Sequence, residues 1–427
     1  MFRRILTIAS GVALGSLLAV GGAQLASLWG WLPNRDLDRS ARYVREVLHL
    51  VNENYVDARQ VDYSQLTKSA LEGVLGSLDP HSEFMEARVY KELEEEMNSE
   101  FGGIGVQLEQ RDNRIVVIAP IADTPSDRAG IRRGDELVRI EGARLAPSTG
   151  MDDIVGKLRG KPRTKVTVGF FRPSTKQEYD VTLTREIIKF ESVRNAEMFP
   201  EKVGYVQITQ FTERTGEEFV RALERLAGQG MQALVLDLRN NPGGLLDAAV
   251  EVAEPFFRKG ELIVYTQGRK PADREEYRAS ADERMINVPT VVLINAGSAS
   301  AAEIVAGALK DTGRGVVVGE RSFGKGSVQS IFQLQNGEGM RLTTARYFTP
   351  SGVTIHEKGV EPVVEIVMSP EDDQNLRLQR SRRDVVEPSE FKERFGVEPV
   401  EDRQLQAGLD ILKAVRLLAE REKAATP

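Results

Sequence analysis

The chain has 427 residues, of which 41% are hydrophobic and 28% are charged, so it is long enough for two or three domains of ordinary soluble composition. Its net charge of −7 and the lack of an arginine-rich stripe argue against nucleic-acid binding. Without cysteine it has no disulfides, zinc–thiolate sites or cysteine nucleophile, and its three scattered histidines lack metal-ligand spacing. We therefore expect no metal and no cofactor.

Residues 1–35 have the layout of a bacterial export signal. Arg3 and Arg4 precede an uncharged stretch from Ile5 to Trp31, and Gly21-Gly22-Ala23 supplies small residues for a cleavage site. The same stretch is long enough to remain as a membrane anchor. Lipidation is excluded because there is no lipobox cysteine. This segment predicts a location in the periplasm or cell envelope, with cleavage and anchoring left open.

Residues 36–98 are predicted to be helical. Val44, Val47, Leu48 and Val51 recur at helical spacing. The motif LDPHSEF interrupts the region, and an acidic run from Glu92 to Glu100 follows. We expect that run to be a solvated helix face.

Residues 99–186 change to short strands and glycine turns. Strands are predicted at Ile115–Ile118 and Lys165–Phe171, with a short helix at Ile154–Leu158. The loop Gly103-Ile104-Gly105-Val106, together with the later stretch AGIRRGDELVRI, resembles a PDZ domain of the bacterial protease type. The resemblance implies that this loop binds a peptide's C-terminal carboxylate while the peptide adds as an extra strand.

Residues 187–368 alternate strand and helix. Strands are predicted at Val203–Ile208, Ala233–Leu238, Val291–Ile294 and Val316–Val318, and helices at Gly216–Leu226 and Leu246–Phe256. Such units build a mostly parallel sheet flanked by helices, with ligand sites at the carboxyl ends of its strands. The stretch between Phe256 and Val291 is expected to be irregular.

Residues 369–427 are expected to be charged and irregular until a final amphipathic helix. Its apolar stripe comprises Leu405, Leu409, Leu412, Val415 and Leu418. The stripe predicts either packing against its own domain or an oligomer or partner contact.

Two strand ends carry the chemistry of a serine–lysine hydrolase. Ser300 follows one predicted strand, and Lys325 follows the next between two glycines. Ser300 and Glu303 also match a capping box, so Ser300 could merely begin a helix, and Ser298 is a second candidate cap. Glycines on both sides of Lys325 allow the backbone to approach a site closely, which favours catalysis.

Two other interpretations of these residues are weaker. Gly319 to Gly326 is one residue short of a phosphate-binding P-loop, because Gly326 stands where a hydroxyl should bind magnesium. A serine–histidine pair would need His81 or His356 to lie beside Ser300 in space, since neither lies near it in sequence.

The ordered motifs LDPHSEF, DLRNNPGG, GSASAAEI and FGKGSVQ, around a PDZ-like segment, resemble the carboxyl-terminal processing peptidases. The resemblance runs from about Leu48 to Val367. It implies an α/β core similar to the crotonase and caseinolytic-protease folds, with an inserted PDZ domain and helical N- and C-terminal arms. It also implies Ser300 as nucleophile, Lys325 as general base and Gln329 as its support.

The chemistry sets conditions on these residues. A free lysine with a pKa near 10.4 is only about 0.04% neutral at pH 7, and a pKa lower by about 3.4 units would make it half neutral. Burial can depress a lysine pKa that far. Candidate oxyanion donors are the backbone N–H of Ala301 and that of Gly243 or Gly244.

The sequence therefore predicts an exported serine endopeptidase that recognises accessible C-termini of proteins through its PDZ domain, which also gates the active site. Homo-oligomerisation through the terminal helices is expected. Two alternatives stand: a non-catalytic PDZ adaptor or chaperone on the same fold, and a peptidase that is inactive until a partner protein binds.

Overall fold

The computed structural model describes residues 35–98, 100–111, 114–121, 123–146, 149–189, 191–280, 286–381 and 388–425. The chain divides into two compact units with the boundary between Phe84 and Met85. The predicted export segment lies almost entirely outside the described residues. Among the residues described, no helix is both long and apolar enough to cross a membrane.

The first unit is helical, as predicted. Its helices are α1 (Arg35–Asn54) and α2 (Tyr63–Gly76), and a 3₁₀ turn (Ala58–Gln60) lies between them. Asp62 caps α2 by accepting from the Ser64 N–H. In the LDPHSEF motif the Asp79 carboxylate accepts hydrogen bonds from the Ser82 hydroxyl and from the backbone N–H groups of His81 and Ser82. The short strand β1 (Glu83–Met85) follows.

The second unit begins with α3 (Ala87–Met97), which carries the acidic run, and continues into a strand-rich insertion. The elements of the insertion, in chain order, are β2 (Glu100–Gly103), β3 (Val106–Arg111), β4 (Arg114–Pro120), α4 (Pro125–Arg128), β5 (Glu136–Ile140), β6 (Ala143–Arg144), α5 (Met151–Leu158), β7 (Lys165–Arg172), β8 (Gln177–Thr184) and β9 (Glu186–Lys189). Its sheet has the order β3-β4-β5-β7-β8, so β3 is an edge strand. The entering and leaving strands, β2 and β9, pair antiparallel and connect the insertion to the core.

The core sheet is mostly parallel, as the alternating pattern predicts. Its first strands and helices are β10 (Val193–Phe199), β11 (Val203–Ile208), α6 (Thr215–Gly228), β12 (Ala233–Asp237) and α7 (Leu246–Ala253). A second group completes it: β15 (Thr290–Ile294), α8 (Ala301–Asp311), β16 (Val316–Gly319) and β19 (Val364–Glu365). The strand order is β10-β11-β12-β15-β16-β19, and only β10 runs antiparallel to its neighbour.

An antiparallel ribbon lies where part of the chain was expected to be irregular. It consists of β13 (Leu262–Gly268), β14 (Arg274–Arg278), β17 (Ser327–Gln333) and β18 (Gly339–Phe348). Strand β18 pairs with both β13 and β17, and β13 also pairs with β14. The expectation of an irregular stretch after Phe256 was therefore wrong. Strand β14 shows the reason, because its charged side chains are exposed and pair with one another instead of alternating with apolar residues.

The C-terminal region contains more helix than expected. Helices α9 (Pro370–Ser381) and α10 (Pro388–Phe395) precede the predicted final helix, α11 (Arg403–Ala425). Leu412 on α11 is buried in a cluster with Tyr205, Val235 and Leu293 of the core sheet. The opposite face of the sheet packs against α6, α7 and α8. The first half of the apolar stripe thus packs against its own domain, whereas Val415 and Leu418 are exposed.

Candidate active site

Three adjacent parallel strands deliver the candidate catalytic residues to one edge of the core sheet. Strand β12 is followed by the loop that contains Gly243 and Gly244, β15 by the loop that ends at Ser300, and β16 by the loop that contains Lys325. Because parallel strands end at the same edge, residues far apart in sequence converge there. This is the arrangement that the strand pattern predicts.

A cavity of about 330 Å³ opens at this edge. Its wall includes all six residues predicted for the catalytic centre, namely Ser300, Lys325, Gln329, Ala301, Gly243 and Gly244. Leu93 and Met97 of α3 add an apolar side, and Tyr347 and Arg341 of β18 add a polar one. The cavity thus combines hydroxyl, amine and amide groups with apolar surface, as a site for a peptide chain requires.

Ser300 has a strained backbone. Its φ of 55° and ψ of −115° fall in a region that residues with a Cβ rarely adopt, and α8 begins at the next residue. The other candidate cap, Ser298, is fully buried. Its hydroxyl donates to the Leu238 carbonyl (2.8 Å) and accepts from the Asn295 N–H (3.0 Å), so Ser298 joins the loops after β12 and β15. Ser300, by contrast, lines the cavity.

The carboxylate of Glu303 joins the nucleophile loop to the lysine loop. One of its oxygens accepts from the Ser300 N–H (2.8 Å) and the Lys325 N–H (2.9 Å). The other accepts from the Gly324 N–H (2.7 Å) and the Ser322 hydroxyl (2.5 Å). Burial raises the pKa of Glu303, although these four hydrogen bonds act in the opposite direction. A fully buried side chain with four donors therefore fixes the spacing of the two loops.

The two glycines beside Lys325 are required by close backbone packing. A Cβ on Gly326 would lie 2.3 Å from the backbone nitrogen of His356, and one on Gly324 would lie 3.1 Å from that of Gly359. Gly324 also has a φ of +93°. The expected close approach is present, and its partner is the chain at residues 356–359. His356 thus touches the lysine loop through its backbone, but it does not line the cavity.

Gln329 lies beside a β-bulge. The register between β17 and β18 shifts between Val328 and Gln329, a local change that can redirect a side chain. The Gln329 side-chain amide donates to Thr343 Oγ1 (2.7 Å) and Ser327 Oγ (3.2 Å). Its Oε1 is buried and has no hydrogen-bond partner among the described residues, so it remains open to a donor.

Gly243 and Gly244 bring the first loop against the nucleophile. A Cβ on Gly243 would lie 2.7 Å from Ser300 Cβ and 3.0 Å from the Ala301 nitrogen, and one on Gly244 would lie 1.9 Å from the Phe211 carbonyl oxygen. Both have positive φ, so only glycine fits at either position. The Gly243 N–H donates to Asn241 Oδ1 at 2.9 Å.

Tyr347 completes the wall. It is 2% exposed, and its hydroxyl has no hydrogen-bond partner among the described residues. The Ser300 hydroxyl is close enough to interact with it, but the pair lies outside hydrogen-bonding geometry. Burial raises the pKa of Tyr347 well above its ordinary value, and the Glu303 carboxylate adds to the effect, so the phenol keeps its proton.

Comparison with known proteins matches residues 202–366 to Peptidase family S41 and residues 102–183 to the PDZ domain. A carboxy-terminal-processing protease of Bartonella bacilliformis is 36% identical over 372 residues, which cover 86% of this chain and 83% of the relative. The carboxy-terminal processing protease CtpB of Bacillus subtilis is 34% identical over 332 residues, covering 77% and 68%. This chain belongs to peptidase family S41.

Among solved structures, a photosystem II D1 C-terminal processing protease is 31% identical, with coverage of 75% of this chain and 91% of that one and a TM-score of 0.44. The family membership confirms the expected class: this S41 peptidase is a carboxy-terminal processing protease with a PDZ domain, and it acts on proteins. The expected α/β core, inserted PDZ domain and helical terminal regions are confirmed with it.

The PDZ domain of this S41 peptidase contains a second cavity, of about 220 Å³, between the edge strand β3 and helix α5. All four residues of the predicted peptide-binding loop, Gly103, Ile104, Gly105 and Val106, line it. The remaining lining is mostly apolar, with Arg159 at the end of α5 as the charged member. An open strand edge beside an apolar groove can accept an added peptide strand.

A buried ion network connects the first catalytic loop to the C-terminal helices. Arg239, which follows β12, donates to Asp237 (2.7 Å) and to Asp402 at the start of α11 (2.7 Å). Arg380 of α9 also contacts both carboxylates. Burial alone would lower the pKa of Arg239, but the two carboxylates outweigh burial and raise it.

Three residues of this centre were missed by sequence reasoning. Glu303 was interpreted only as half of a capping box, whereas its carboxylate also holds the lysine loop. Ser322 and Tyr347 belong to no motif that was singled out. Ser322 could have been suspected because it lies only three residues before Lys325. Tyr347 gave no such signal, because it is brought to the site by the pairing of β18 with β17. No group of three or more metal-binding side chains is present in the described part of the chain.

Proposed function

We propose that this S41 peptidase cleaves proteins near their C-termini, with Ser300 as nucleophile and Lys325 as general base. The supporting observation is the convergence of both residues on one cavity from the ends of adjacent parallel strands. The Glu303 carboxylate accepts from the backbone N–H of each, which keeps their loops in register. The strained Ser300 backbone is typical of a residue held for chemistry.

The reaction proceeds through an acyl-enzyme. Neutral Lys325 Nζ accepts the Ser300 Oγ proton as Oγ forms a bond to the substrate carbonyl carbon. The carbon–nitrogen bond then breaks, and Lys325 returns the proton to the leaving amine. A water molecule, deprotonated by Lys325 in the same way, hydrolyses the ester and restores Ser300. Because only a neutral amine can accept the proton, the rate should rise with pH on the acid side of its profile.

Gln329 orients the lysine. Its Oε1 is a buried acceptor without a partner among the described residues, and a lysine amine is a donor. A hydrogen bond from Lys325 Nζ to this oxygen would direct the amine without adding charge to the cavity. The amide donors of Gln329 are already used by Thr343 and Ser327, which leaves Oε1 for this purpose.

The oxyanion is stabilised by the Ala301 N–H and by one glycine N–H. Proximity to Ser300 and Ala301 supports Gly243, but its N–H already donates to Asn241 Oδ1. Gly244 forms a parallel bridge with Phe211. In this bridge the Phe211 N–H donates to the Gly243 carbonyl, and the Leu245 N–H donates to the Phe211 carbonyl. The Gly244 N–H is used in neither bond and faces away from Phe211, which supports Gly244 as the donor. A structure of a peptide aldehyde adduct on Ser300 would distinguish the two by showing which N–H lies about 3 Å from the oxygen.

The PDZ groove recognises the substrate's C-terminus and gates the active site. An apolar cavity beside an open strand edge supports a peptide with an apolar end. Amidation of a protein substrate's C-terminus should therefore raise the KM for that substrate. The same modification of a short peptide that contains only the cleavage site should leave its KM unchanged. Equal KM values for the free acid and the amide would contradict this role.

Location and assembly are also proposals. Residues 1–35 direct export, so an alkaline phosphatase fusion to this segment should be active only outside the cytoplasm. Exposed apolar residues in the second half of α11, Val415 and Leu418, support self-association through the terminal helices. Substitution of both by serine should shift the sedimentation coefficient to that of a smaller species.

The catalytic assignment is tested by incubating the purified full chain with an unfolded protein that ends in an apolar tail. Wild type, Ser300→Ala and Lys325→Ala are compared by gel electrophoresis and mass spectrometry. We expect cleavage by the wild type alone. Equal cleavage by all three would overturn both assignments.

A wild type without activity would favour one of two alternatives. The hydrogen bond from the Gly243 N–H to Asn241 is an observation in favour of a peptidase that a partner must activate, because this donor would have to be released before use. Cell-envelope extract from a strain that lacks the gene would then restore cleavage. If it did not, the remaining candidate is a PDZ adaptor or chaperone that uses the fold without its chemistry.

A further inference from the structure

We propose that the Tyr347 hydroxyl is a catalytic group, which donates a hydrogen bond to Ser300 Oγ during attack on the substrate. The inference rests on the proposed serine–lysine mechanism and adds a further side chain to it. It is carried by a buried hydroxyl in the wall of the Ser300 cavity that has no hydrogen-bond partner within the described part of the chain.

The backbone around Tyr347 is held firmly. It is the penultimate residue of β18 and pairs with Thr266 of β13. Its N–H donates to the Gly326 carbonyl at 3.0 Å, directly after Lys325. Its ring packs in the main hydrophobic cluster. The Tyr347 side chain is therefore fixed, and a hydrogen bond to its hydroxyl requires that the other group moves.

Ser300 is the residue whose side chain can move to form this hydrogen bond. Its hydroxyl already lies within interaction range of the tyrosine, although outside hydrogen-bonding geometry. Rotation about one bond, Cα–Cβ of Ser300, changes the direction of Oγ without any backbone shift. Catalytic hydrogen bonds are often poorly aligned before substrate binds and tighten in the reacting complex.

A neutral phenol suits this position. It donates one proton in a hydrogen bond and keeps that proton throughout, while the Ser300 proton goes to Lys325. With one lone pair of Oγ held by the phenol, the Oγ–H is directed to the amine, and the negative charge that develops on Oγ is stabilised. The Tyr347 hydroxyl cannot itself act as the base, because burial, with the Glu303 carboxylate, raises its pKa and keeps it protonated.

A structural role explains the hydroxyl poorly. A buried hydroxyl without a hydrogen bond destabilises a folded protein, and a phenylalanine would fill the same space without that penalty. Tyr205 shows the contrast, because its buried hydroxyl donates to Asp237 at 2.7 Å. The oxygen of Tyr347 is therefore expected to serve a step that the resting protein does not display.

The experiment compares wild type with Tyr347→Phe in the full chain. The readouts are kcat and KM on a fluorogenic peptide, the rate at which a fluorophosphonate probe labels Ser300, and the thermal midpoint. We expect kcat and the labelling rate to fall about 100-fold, the lower end of the effect of removing one preorganised donor, with KM and Tm unchanged or Tm higher. Tyr265→Phe is the matched control, because Tyr265 lies on the neighbouring strand and does not line the cavity.

Each outcome decides between specific claims. If Tyr347→Phe cleaves and labels like the wild type while Ser300→Ala does neither, this inference fails and the proposed function stands. If Tyr347→Phe loses Tm together with activity, the hydroxyl has a structural role and the inference is overturned. Cleavage by Ser300→Ala, or a wild type whose Ser300 is never labelled, would instead count against the proposed nucleophile.

Discussion

The positive φ of Ser300 makes a stability prediction that is separate from catalysis. A residue with a Cβ in this conformation is strained by about 1 to 3 kcal/mol, and glycine is not. Ser300→Gly and Ser300→Ala both remove the nucleophile. We expect the glycine variant to be more stable than the alanine variant by about 1 kcal/mol, measured by urea unfolding.

The alanine variant serves as the control, since both substitutions lose the same hydroxyl. An alanine variant as stable as the glycine variant, or more stable, would show that the backbone at residue 300 is not strained. Either result leaves the role of Ser300 as nucleophile to the cleavage assay.

Glu303→Gln should reduce catalysis while leaving the fold intact. The amide has only one acceptor oxygen, and at either oxygen position its NH₂ group faces at least one backbone N–H donor, so at least one of the four hydrogen bonds is lost. Because those bonds align Ser300 with Lys325, we expect kcat to fall about 100-fold with little change in KM, from steady-state kinetics. The exposed Glu224→Gln on α6 is the control. Unchanged kcat in Glu303→Gln would show that the carboxylate does not position the two loops.

Individual site residues could be predicted only where a reactive side chain lies within a short sequence motif. Ser300, Lys325 and Gln329 could be named because motifs mark them. Glu303 could be identified as a cap, but its second set of donors comes from residues 322–325, and no local pattern reports that contact. Tyr347 is one aromatic residue in a strand, and only strand pairing places it near Ser300.

At the scale of elements, buried strands were easier to predict than exposed ones. The strands of the core sheet carry apolar runs with nearly no exposure, and the predicted Val203–Ile208 agrees with β11 at both ends. Strand β14 has no such run, because it is stabilised by pairing with β13 and by ion pairs from Glu276 to Arg274 and Arg278. Its existence depends on a partner strand, so a local pattern cannot reveal it.

Helix α9 was missed for a different reason. Its start signals are present, because Ser369 Oγ accepts from the Asp372 N–H and Pro370 with three acidic residues forms the first turn. The helix has few apolar residues, however, and Leu376 is the buried one. A helix that contributes to the fold mainly through ion pairs leaves little periodicity to detect.

The PDZ domain contains an ion pair whose effect on stability should depend on pH. Asp135 is buried and accepts from Arg172 (2.7 Å) and Tyr179 (2.7 Å). Burial alone would raise the pKa of Asp135, but these partners outweigh burial and lower it. A lowered folded-state pKa contributes stability above the unfolded value of about 3.9, and that contribution is lost as pH falls through the folded pKa. We expect Asp135→Asn to lose about 3 kcal/mol at pH 7.

The measurement is the thermal midpoint at pH 7 and at successively lower pH. The difference between wild type and Asp135→Asn should shrink below about pH 4, as the wild-type carboxyl is protonated. Asp180→Asn is the control, because Asp180 contacts Arg139 at the exposed surface of the same domain and should matter by less than about 1 kcal/mol. A difference that stays constant down to pH 2 would contradict the assignment.

At the scale of the whole molecule, the C-terminal helices support the catalytic loops. Asp402→Ala would leave the buried Arg239 and the partly buried Arg380 with a single carboxylate between them, that of Asp237. We expect a loss of about 3 to 5 kcal/mol of unfolding free energy, and a lower kcat because Arg239 begins the loop that contains Gly243. Urea unfolding and steady-state kinetics measure the two effects.

Asp410→Ala, on the exposed face of α11, should change stability by less than about 0.5 kcal/mol. If Asp402→Ala were as stable and as active as this control, the ion network would not connect the C-terminal helices to the catalytic loop.

The same network has a consequence for biosynthesis. Arg239 meets Asp402 across 163 residues of sequence, so a long stretch of chain is synthesised between the two partners. Until Asp402 has been made, the buried guanidinium has only the Asp237 carboxylate as a counter-charge, and the loop that Arg239 begins lacks its contact with the C-terminal helices. In a ribosome-bound chain from which Ser300 and Lys325 have emerged, we therefore expect the catalytic loop to be held less firmly than in the folded protein. The order of synthesis would thus delay the full stabilisation of the catalytic edge until residue 402 has been made.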